Sequence, residues 1–438
     1  MLRASSVEEQ YRQTAADDLR VLVVGAGVAG ITVAGLLRGQ GRHPVLIERS
    51  GPASAGGYML ALMPMVDPAI DALGVRDAYR AASAPLRTYG LLGHRGHRLR
   101  SDPLGQILDR YGDYRGIDRG ALIDVFSGDD CPVAYDATIG SVAGLDDDPV
   151  SVIFHRAGES DRNAYDFDLV IFADGIGSRN RRLITGDQPL DEVETGWSGW
   201  VVWMGVDAYP DADPEIGEEL WGAGFFLGSY PVLDRIGVFL GGPEVDLAAG
   251  PRAYVASVRR RLAEISPRTE AALTAVEEVR DPYLWPMSDV RSPRWSRGRG
   301  VLLGDAAAGF MPTAGVGAGM AIESAMSLAT ALRECDRSAV TDALARYERV
   351  QRPRVEAAQR SSRQLAKMMF NRSRVIAVVR DLAARLVDVG TALAPIQKLL
   401  RTPPEPTELT ATGSPKSAQE SDSPAHSGGP SSSSGSLR

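Results

Sequence analysis

The sequence predicts an α/β fold in which a parallel sheet carries a dinucleotide site, a mixed or antiparallel sheet is inserted, and helices close the chain. Three observations predict it. A strand-like run, Arg20 to Val24 (RVLVV), leads directly into Gly25-Ala26-Gly27-Val28-Ala29-Gly30, a helical stretch and a second strand, Pro44 to Glu48. The middle of the chain, Trp197 to Phe239, is rich in strand-forming and aromatic residues. A further apolar strand, Val301 to Leu303, turns at Gly304-Asp305 into a loop holding Pro312, Gly315, Gly317 and Gly319. Helical spacing then resumes at Ala321, Ala325, Leu328 and Leu332.

The first of these units has every part of a Rossmann-like fingerprint: strand before, helix after, and an acid about 20 residues on. Gly25 permits the tight turn, Gly27 admits a pyrophosphate to the backbone, and Gly30 lets helix and strand pack closely. Glu48 would accept hydrogen bonds from ribose hydroxyls, which favours FAD or NAD over the 2′-phosphate of NADP. The Val301 to Ala325 stretch presents a carboxylate, a glycine-rich loop and a helix N-terminus, a place for backbone to approach something flat and electron-rich.

Composition bounds the rest. At 438 residues the chain can hold two or three domains and a large core. A hydrophobic share of 44% with 24% charged residues is that of a soluble globular protein. A net charge of -8 argues against nucleic-acid binding. Cys131 and Cys335 lie far apart, so neither a disulfide framework nor a zinc site is suggested. The polar, acidic N-terminus lacks a secretory signal's apolar core, and no run approaches a membrane span. A cytoplasmic protein is expected.

From Gly56 to Val75 the pattern suggests a loop and then a short helix, and Tyr89 to Arg100 a hairpin turning at Arg95-Gly96. His94 and His97 flank that turn and read as solvated turn residues. Ile117 to Val125 (IDRGALIDV) runs as a helix, where Arg119 is either a first-turn surface residue or an arm reaching an anionic ligand. Another strand, Leu169 to Phe172, ends in Asp174-Gly175, with Ser178-Arg179 beyond. Most aromatics from Trp197 to Phe239 are expected to fill the sheet, leaving a few to line an apolar pocket. Arg252 to Glu278 reads as one or two amphipathic helices. After Ala325 the chain looks helical to about Leu400, with a stripe at Val375, Val379, Leu382, Leu386, Val389, Leu393, Ile396 and Leu400. That stripe is expected to pack on the protein's own body, with a homodimer contact or a membrane surface as alternatives. Thr402 to Arg438, rich in Pro, Ser and Gly, reads as disordered.

Three strand-end motifs now stand in order: Gly25/Gly27/Gly30 with Glu48-Arg49, Asp174-Gly175 with Ser178 and Arg179, and Gly304-Asp305 with its loop. With IDRGAL around Arg119, WPMSDV before the third motif and YERVQRPRVEAAQRSSR from Tyr347, the chain from Arg20 to Arg363 resembles the single-component FAD-dependent monooxygenases of the para-hydroxybenzoate hydroxylase type. The resemblance implies a GR2-type flavoprotein. Its discontinuous FAD-binding domain would comprise 19–88, 115–190 and 290–363, and its substrate domain 89–114 and 191–289. A helical segment, 364–400, and a tail, 401–438, would follow.

It also implies roles. The pyrophosphate of FAD would lie on Gly25 to Gly30, its adenosine ribose on Glu48, and Arg49 beside the adenosine end. Arg119 would approach the ribityl–pyrophosphate side and Asp305 a ribityl hydroxyl. Pro312 would lie over the isoalloxazine, and the backbone of Gly317, Ala318 and Gly319 would bond its pyrimidine edge. Asp174 is associated with both FAD and the reduced nicotinamide. NAD(P)H would be a transient co-substrate. O₂ would form a flavin C4a-hydroperoxide that hydroxylates or epoxidises a hydrophobic aromatic, polyketide or terpenoid substrate. No residue is marked as a catalytic base. The chain departs from the pattern at Ala308, Gly319 and Ser324, where many members carry His, Asn and Asp. Three rival readings remain: an FAD-dependent reductase, an oxidase or a non-hydroxylating flavoprotein. A halogenase is disfavoured, because no lysine precedes Lys367.

Overall fold

Val21, Leu22, Val23 and Val24 are all buried, as a strand covered on both faces requires. In the computed structural model, which describes residues 1–52, 57–156, 159–208, 215–280, 282–387 and 389–410, Val21–Val24 lies inside a five-stranded sheet. The order is Ser296–Arg297, Gly300–Leu302, Leu169–Phe172, Val21–Val24, Val45–Ile47. The last four strands are parallel and Ser296–Arg297 is an antiparallel edge. Phe172 pairs with Val24 on one side and Leu302 on the other, and Val24 pairs with Ile47. The residues that follow these strand ends are Gly25, Ala173-Asp174, Leu303-Gly304 and Glu48. Strand pairing alone therefore brings all three motifs to one edge of the sheet. The helices Val28–Gly39 and Gly317–Leu332 pack together beside that sheet.

The second large sheet has eight strands. Its order is Ala308–Gly309, Tyr283–Arg291, Asp191–Gly205, Arg235–Pro243, Phe226–Val232, Ile216–Trp221, Thr88–Leu92, Arg98–Pro103. It is mixed, because Ile216–Trp221 runs parallel to Thr88–Leu92. Successive side chains point to opposite faces. One face, with Trp200, Val202, Leu220, Leu227, Val238 and Leu240, is buried under the helices Pro251–Arg261 and Pro267–Glu278. The other carries Val201, Trp221, Phe226, Tyr230 and Phe239, which line a cavity. The expected division of the aromatics thus follows strand alternation. Thr88–Leu92 and Arg98–Pro103 form the expected hairpin.

Three expectations need correction, and the N-terminus gains a place that none of them covered. Met59–Leu62 is a strand, paired antiparallel with Arg115–Asp118, where a loop was expected. Its apolar run is too short to show its period, and its partner lies far along the chain. The polar N-terminus is built into the fold: Leu2–Ala4 pairs with Cys131–Val133, and the helix Val7–Gln13 buries Val7 and Gln10. The Gln10 amide exchanges hydrogen bonds with both backbone groups of Leu46, at 3.2 and 2.8 Å. His94 is no free turn residue, since its Nδ1 lies 2.6 Å from Asp381 on the Arg374–Leu386 helix.

The C-terminal region holds the third. Helices Val340–Met369, Arg374–Leu386, Val389–Ala392 and Ala394–Arg401 carry the expected stripe, but it divides. Leu393 and Ile396 line the cavity and Leu400 packs on the main core. Val375, Val379, Leu382 and Leu386 are between 60% and 79% exposed. The tail does not begin at 401: Pro406–Thr410 is a helix whose Leu409 is buried against the Gly317–Leu332 and Val340–Met369 helices. Residues 411–438 lie outside the described residues. Among those described, no helix is long and apolar enough to cross a membrane.

Leu409→Ala should lower the free energy of unfolding by about 2 kcal/mol, the low end for a buried leucine because the chain end can settle into the space. Urea denaturation would show it, and a value near zero would return this segment to the disordered tail.

Candidate active site

At the first strand end, Gly25 has φ 104°, and a Cβ there would lie 2.5 Å from the Ala173 carbonyl oxygen. A Cβ on Gly30 would lie 1.9 Å from the Gly25 oxygen. Neither position accepts a side chain. Gly27, in contrast, faces open space: an added Cβ would meet only Arg119 Nη2, at 3.9 Å. Gly27, Val28 and Ala29 line the cavity, at the N-terminus of a helix that no side chain caps. Its first-turn N–H groups, with the dipole behind them, face whatever occupies the space. Glu48 stands at the end of Val45–Ile47, where its carboxylate accepts from the N–H groups of Ala26 and Ser50, both at 2.9 Å. Arg49 is exposed beside it.

Arg119 begins the helix Arg119–Ser127 and lines the cavity, its guanidinium 5.7 Å from the Tyr58 ring centre. The side chain thus faces the cavity rather than open solvent. Asp174 accepts from Asn180 Nδ2 at 2.9 Å through one oxygen, while its Oδ1 is buried without a partner. That orphaned acceptor and the open backbone at Gly27 are what a bound hydroxyl-rich, anionic cofactor such as FAD would satisfy.

At the third strand end, Gly304 has φ 61°, and a Cβ there would lie 2.7 Å from that of Ala29, so the first and third motifs meet through a glycine. Asp305 lines the cavity. Burial pushes its carboxyl up to about 6, against the opposing pull of Arg181 and Arg119. Arg181, itself buried, donates from Nε to the Ala306 oxygen at 2.8 Å and from Nη2 to the Ile176 oxygen at 2.7 Å. It ties the second strand-end loop to the third. Pro312, Gly315, Gly317 and Ala318 also line the cavity, and Gly315 has φ 61°. Gly319 does not: an added Cβ would lie 2.9 Å from Met65 Sδ, which covers it.

The cavity measures about 520 Å³. Beyond the glycine-rich wall it is enclosed by one face of the eight-stranded sheet and by Leu365, Met369, Phe370, Leu393 and Ile396. Sequence reasoning missed Arg181, Tyr58, Arg100 and Glu219. Arg181 carried one signal, its place just after the second strand-end motif. Arg100 lies in the expected hairpin, but nothing in its local sequence turns it toward the cavity; Tyr58 and Glu219 gain their places from pairing with distant strands.

Three comparisons agree with this geometry. The family model of the FAD binding domain matches residues 247–362. The 3-amino-4-hydroxybenzoate 2-monooxygenase of Streptomyces cremeus is 31% identical over 367 residues, covering 80% of this chain and 87% of that enzyme. The aurachin C monooxygenase/isomerase of Stigmatella aurantiaca is 30% identical over 353 residues, covering 78% and 86%. Among solved structures, Klebsiella pneumoniae HpxO complexed with FAD and uric acid superposes with a TM-score of 0.77 at 21% identity, over 89% of this chain and 98% of that one. The chain belongs to the FAD-dependent monooxygenases.

Because the folded state holds the Asp305 carboxyl at about 6, above its ordinary 3.8, folding favours the protonated form. That stabilisation is complete below about pH 4 and is lost as pH rises through 6. Between about pH 4 and 7 the FAD-free protein should therefore lose stability relative to Asp305→Asn, by at most about 3 kcal/mol. Thermal melts of both proteins across this range would show the two curves separating, and parallel curves would contradict the desolvated carboxyl.

Proposed function

We propose that this enzyme binds FAD across the edge of the five-stranded sheet and uses NAD(P)H and O₂ to hydroxylate or epoxidise a hydrophobic aromatic molecule in the cavity. One observation carries the reading. Three strand-end motifs from neighbouring parallel strands form one wall of a cavity whose remaining walls are largely apolar and aromatic. The region of that sheet would be the FAD-binding domain and the eight-stranded sheet the substrate domain.

In this reading Gly25, Ala26, Gly27, Val28, Ala29 and Gly30 hold the pyrophosphate, with Arg119 above it. Glu48 and Arg49 serve the adenosine end, and Asp174 the junction of FAD and nicotinamide. Asp305, on the Gly304 turn, orients the ribityl chain. Pro312 and Gly315 flank the ring, and Gly317 and Ala318 offer backbone and a helix terminus to its pyrimidine edge, with Gly319, covered by Met65, in the same turn behind them. When bound, FAD supplies the two-electron chemistry with NAD(P)H and the activation of O₂. The protein's own part is exclusion of water by Leu365, Met369, Phe370 and the sheet face, and orientation of the substrate. The names of the two relatives support an aromatic substrate. Reduction or oxidation without oxygen insertion is the competing outcome on the same scaffold. A cytoplasmic location belongs to this reading, as does a homodimer through the exposed Val375, Val379, Leu382 and Leu386 face, supported by its apolar exposure.

The purified protein should be yellow with about one FAD per chain, and a panel of aromatic compounds should accelerate NAD(P)H oxidation. Under ¹⁸O₂ one labelled oxygen should enter the product; substrate conversion without label would leave the reductase or oxidase instead. Asp305→Ala should release FAD on dialysis, and undiminished retention would contradict its role. If the helix makes a dimer, Leu382→Glu should halve the mass measured by light scattering.

A further inference from the structure

One wall of the cavity carries an acid that the reading above does not use. Glu219 and Trp221 lie on the same face of the Ile216–Trp221 strand, and both line the cavity. Glu219 Oε2 accepts from Tyr89 Oη at 2.7 Å and from Trp221 Nε1 at 2.8 Å, while Oε1 accepts from Tyr230 Oη. Tyr230 reaches it because its ring lies over two glycines. A Cβ on Gly217 would come within 3.1 Å of that ring and one on Gly228 within 2.8 Å. Three strands therefore contribute donors to a single carboxyl group.

The chemistry of that group is unbalanced. A carboxylate offers about four acceptor positions, and three are filled. The neighbouring Glu218 faces the other way and pairs with Arg98 Nη2 at 2.6 Å. Among the described residues lining the cavity the only basic side chains are Arg100 and Arg119. Arg100 is already committed to Asp102 at 2.5 Å and to the Val387 oxygen at 2.7 Å. Arg119 stands over Gly27 at the glycine-rich wall. Burial, and after it the field of Glu219, raise the ionisation of Tyr89 and Tyr230. Both phenols thus stay protonated and act as donors, leaving the carboxyl as the acceptor.

We propose that Glu219 anchors the substrate by accepting a hydrogen bond from a ring N–H or O–H, so that the cavity selects donor-bearing, uncharged or cationic aromatic rings and rejects ring carboxylates. The inference rests on the cavity being the substrate site of the monooxygenase. A ring carboxylate brought to this wall would meet an acid and no uncommitted cation, losing hydration without gaining a partner. A ring donor would complete the fourth acceptor position, and any apolar substituent of the ring would meet the apolar side chains of Phe370, Leu393 and Ile396.

Isothermal titration calorimetry on the holoenzyme can test this with three probes. They are 2-heptyl-4(1H)-quinolone, its N-methyl derivative and salicylate. The N–H quinolone should bind at least about tenfold more tightly than the N-methyl compound, as a hydrogen bond to a charged acceptor implies, and salicylate more weakly than either. In Glu219→Leu the N–H preference should fall to within about threefold while the N-methyl compound binds as before. Glu219→Gln, which keeps the shape, should lie between and guards against a folding defect. Equal binding of the two quinolones by the wild type, tightest binding of salicylate, or an unchanged preference in Glu219→Leu would each overturn the proposal. Calorimetry reads these ratios whether or not flavin turns over. Absence of FAD would therefore sink the monooxygenase site and is scored separately from the ratio.

Discussion

The structure depends on the parallel pairing of Phe172 with Val24 and Leu302. A parallel strand needs a crossover before it can pair again, so each neighbour brings its own long excursion, yet all their carboxyl ends reach the same edge. The chain then closes that edge by close approach at three glycines, two of them against backbone and the third against the Ala29 methyl. Gly25 sits against Ala173, Gly30 against Gly25, and Gly304 against Ala29, at separations where an added Cβ would fall 2.5, 1.9 and 2.7 Å from its neighbour. The result is a crevice with N–H groups on its surface and almost no side chains in the way, which suits a ligand that lies flat along it. Arg181 finishes the construction by tying the Ile176 and Ala306 carbonyls together.

The eight-stranded sheet applies a different constraint to the other side of the cavity. Its alternation gives Trp200, Val202 and Leu220 to the core under the two helices, and Val201, Glu219 and Trp221 to the cavity. A slip of one residue would exchange the two sets. It would place a carboxyl in the helix-covered core and remove the aromatic wall. Register in this sheet therefore sets stability and the chemical character of the cavity together. The edge strand Ala308–Gly309 ties the two halves, since it pairs with Val290 and Arg291 only a few residues after the Gly304 turn.

Much of the first wall was legible because its signals are local. Strand, glycine spacing and helix follow one another within about 30 residues, and the folded chain brings Gly27, Arg119, Asp305, Pro312 and Gly317 to one cavity as those signals imply. The second wall was legible only in part: aromatics between Trp197 and Phe239 were expected to supply some of it, but not which ones, and no polar group was foreseen. Glu219 gains its meaning only from Tyr89, 130 positions away, and from Tyr230, which pairing places beside it. The Met59–Leu62 strand and the Pro406–Thr410 helix were missed for the same reason. Four or five residues carry too little periodicity, and what stabilises each is a distant partner: Arg115–Asp118 for one, the two long helices for the other.

Ala308, Gly319 and Ser324, the positions expected to depart from the family's pattern, point first to the flavin loop as the place where this chain would differ. Packing argues otherwise. None of the three is among the residues lining the cavity. Gly319 lies under Met65, whose sulfur would be 2.9 Å from any Cβ there, so a residue without a side chain at 319 is what lets Met65 pack against this helix. Ser324 donates to the Met320 oxygen at 2.6 Å and accepts from Gln351 at 3.1 Å, beside the buried Glu323–Arg354 pair, and thus belongs to a helix interface. Ala308 is a small buried residue in the edge strand that joins the sheets. Differences absorbed by packing leave the backbone wall as it was. The chemical individuality of this site then falls to the side chains of the opposite wall, where Arg100 and Asp102 neutralise each other and Glu219, held by three neutral donors, does not.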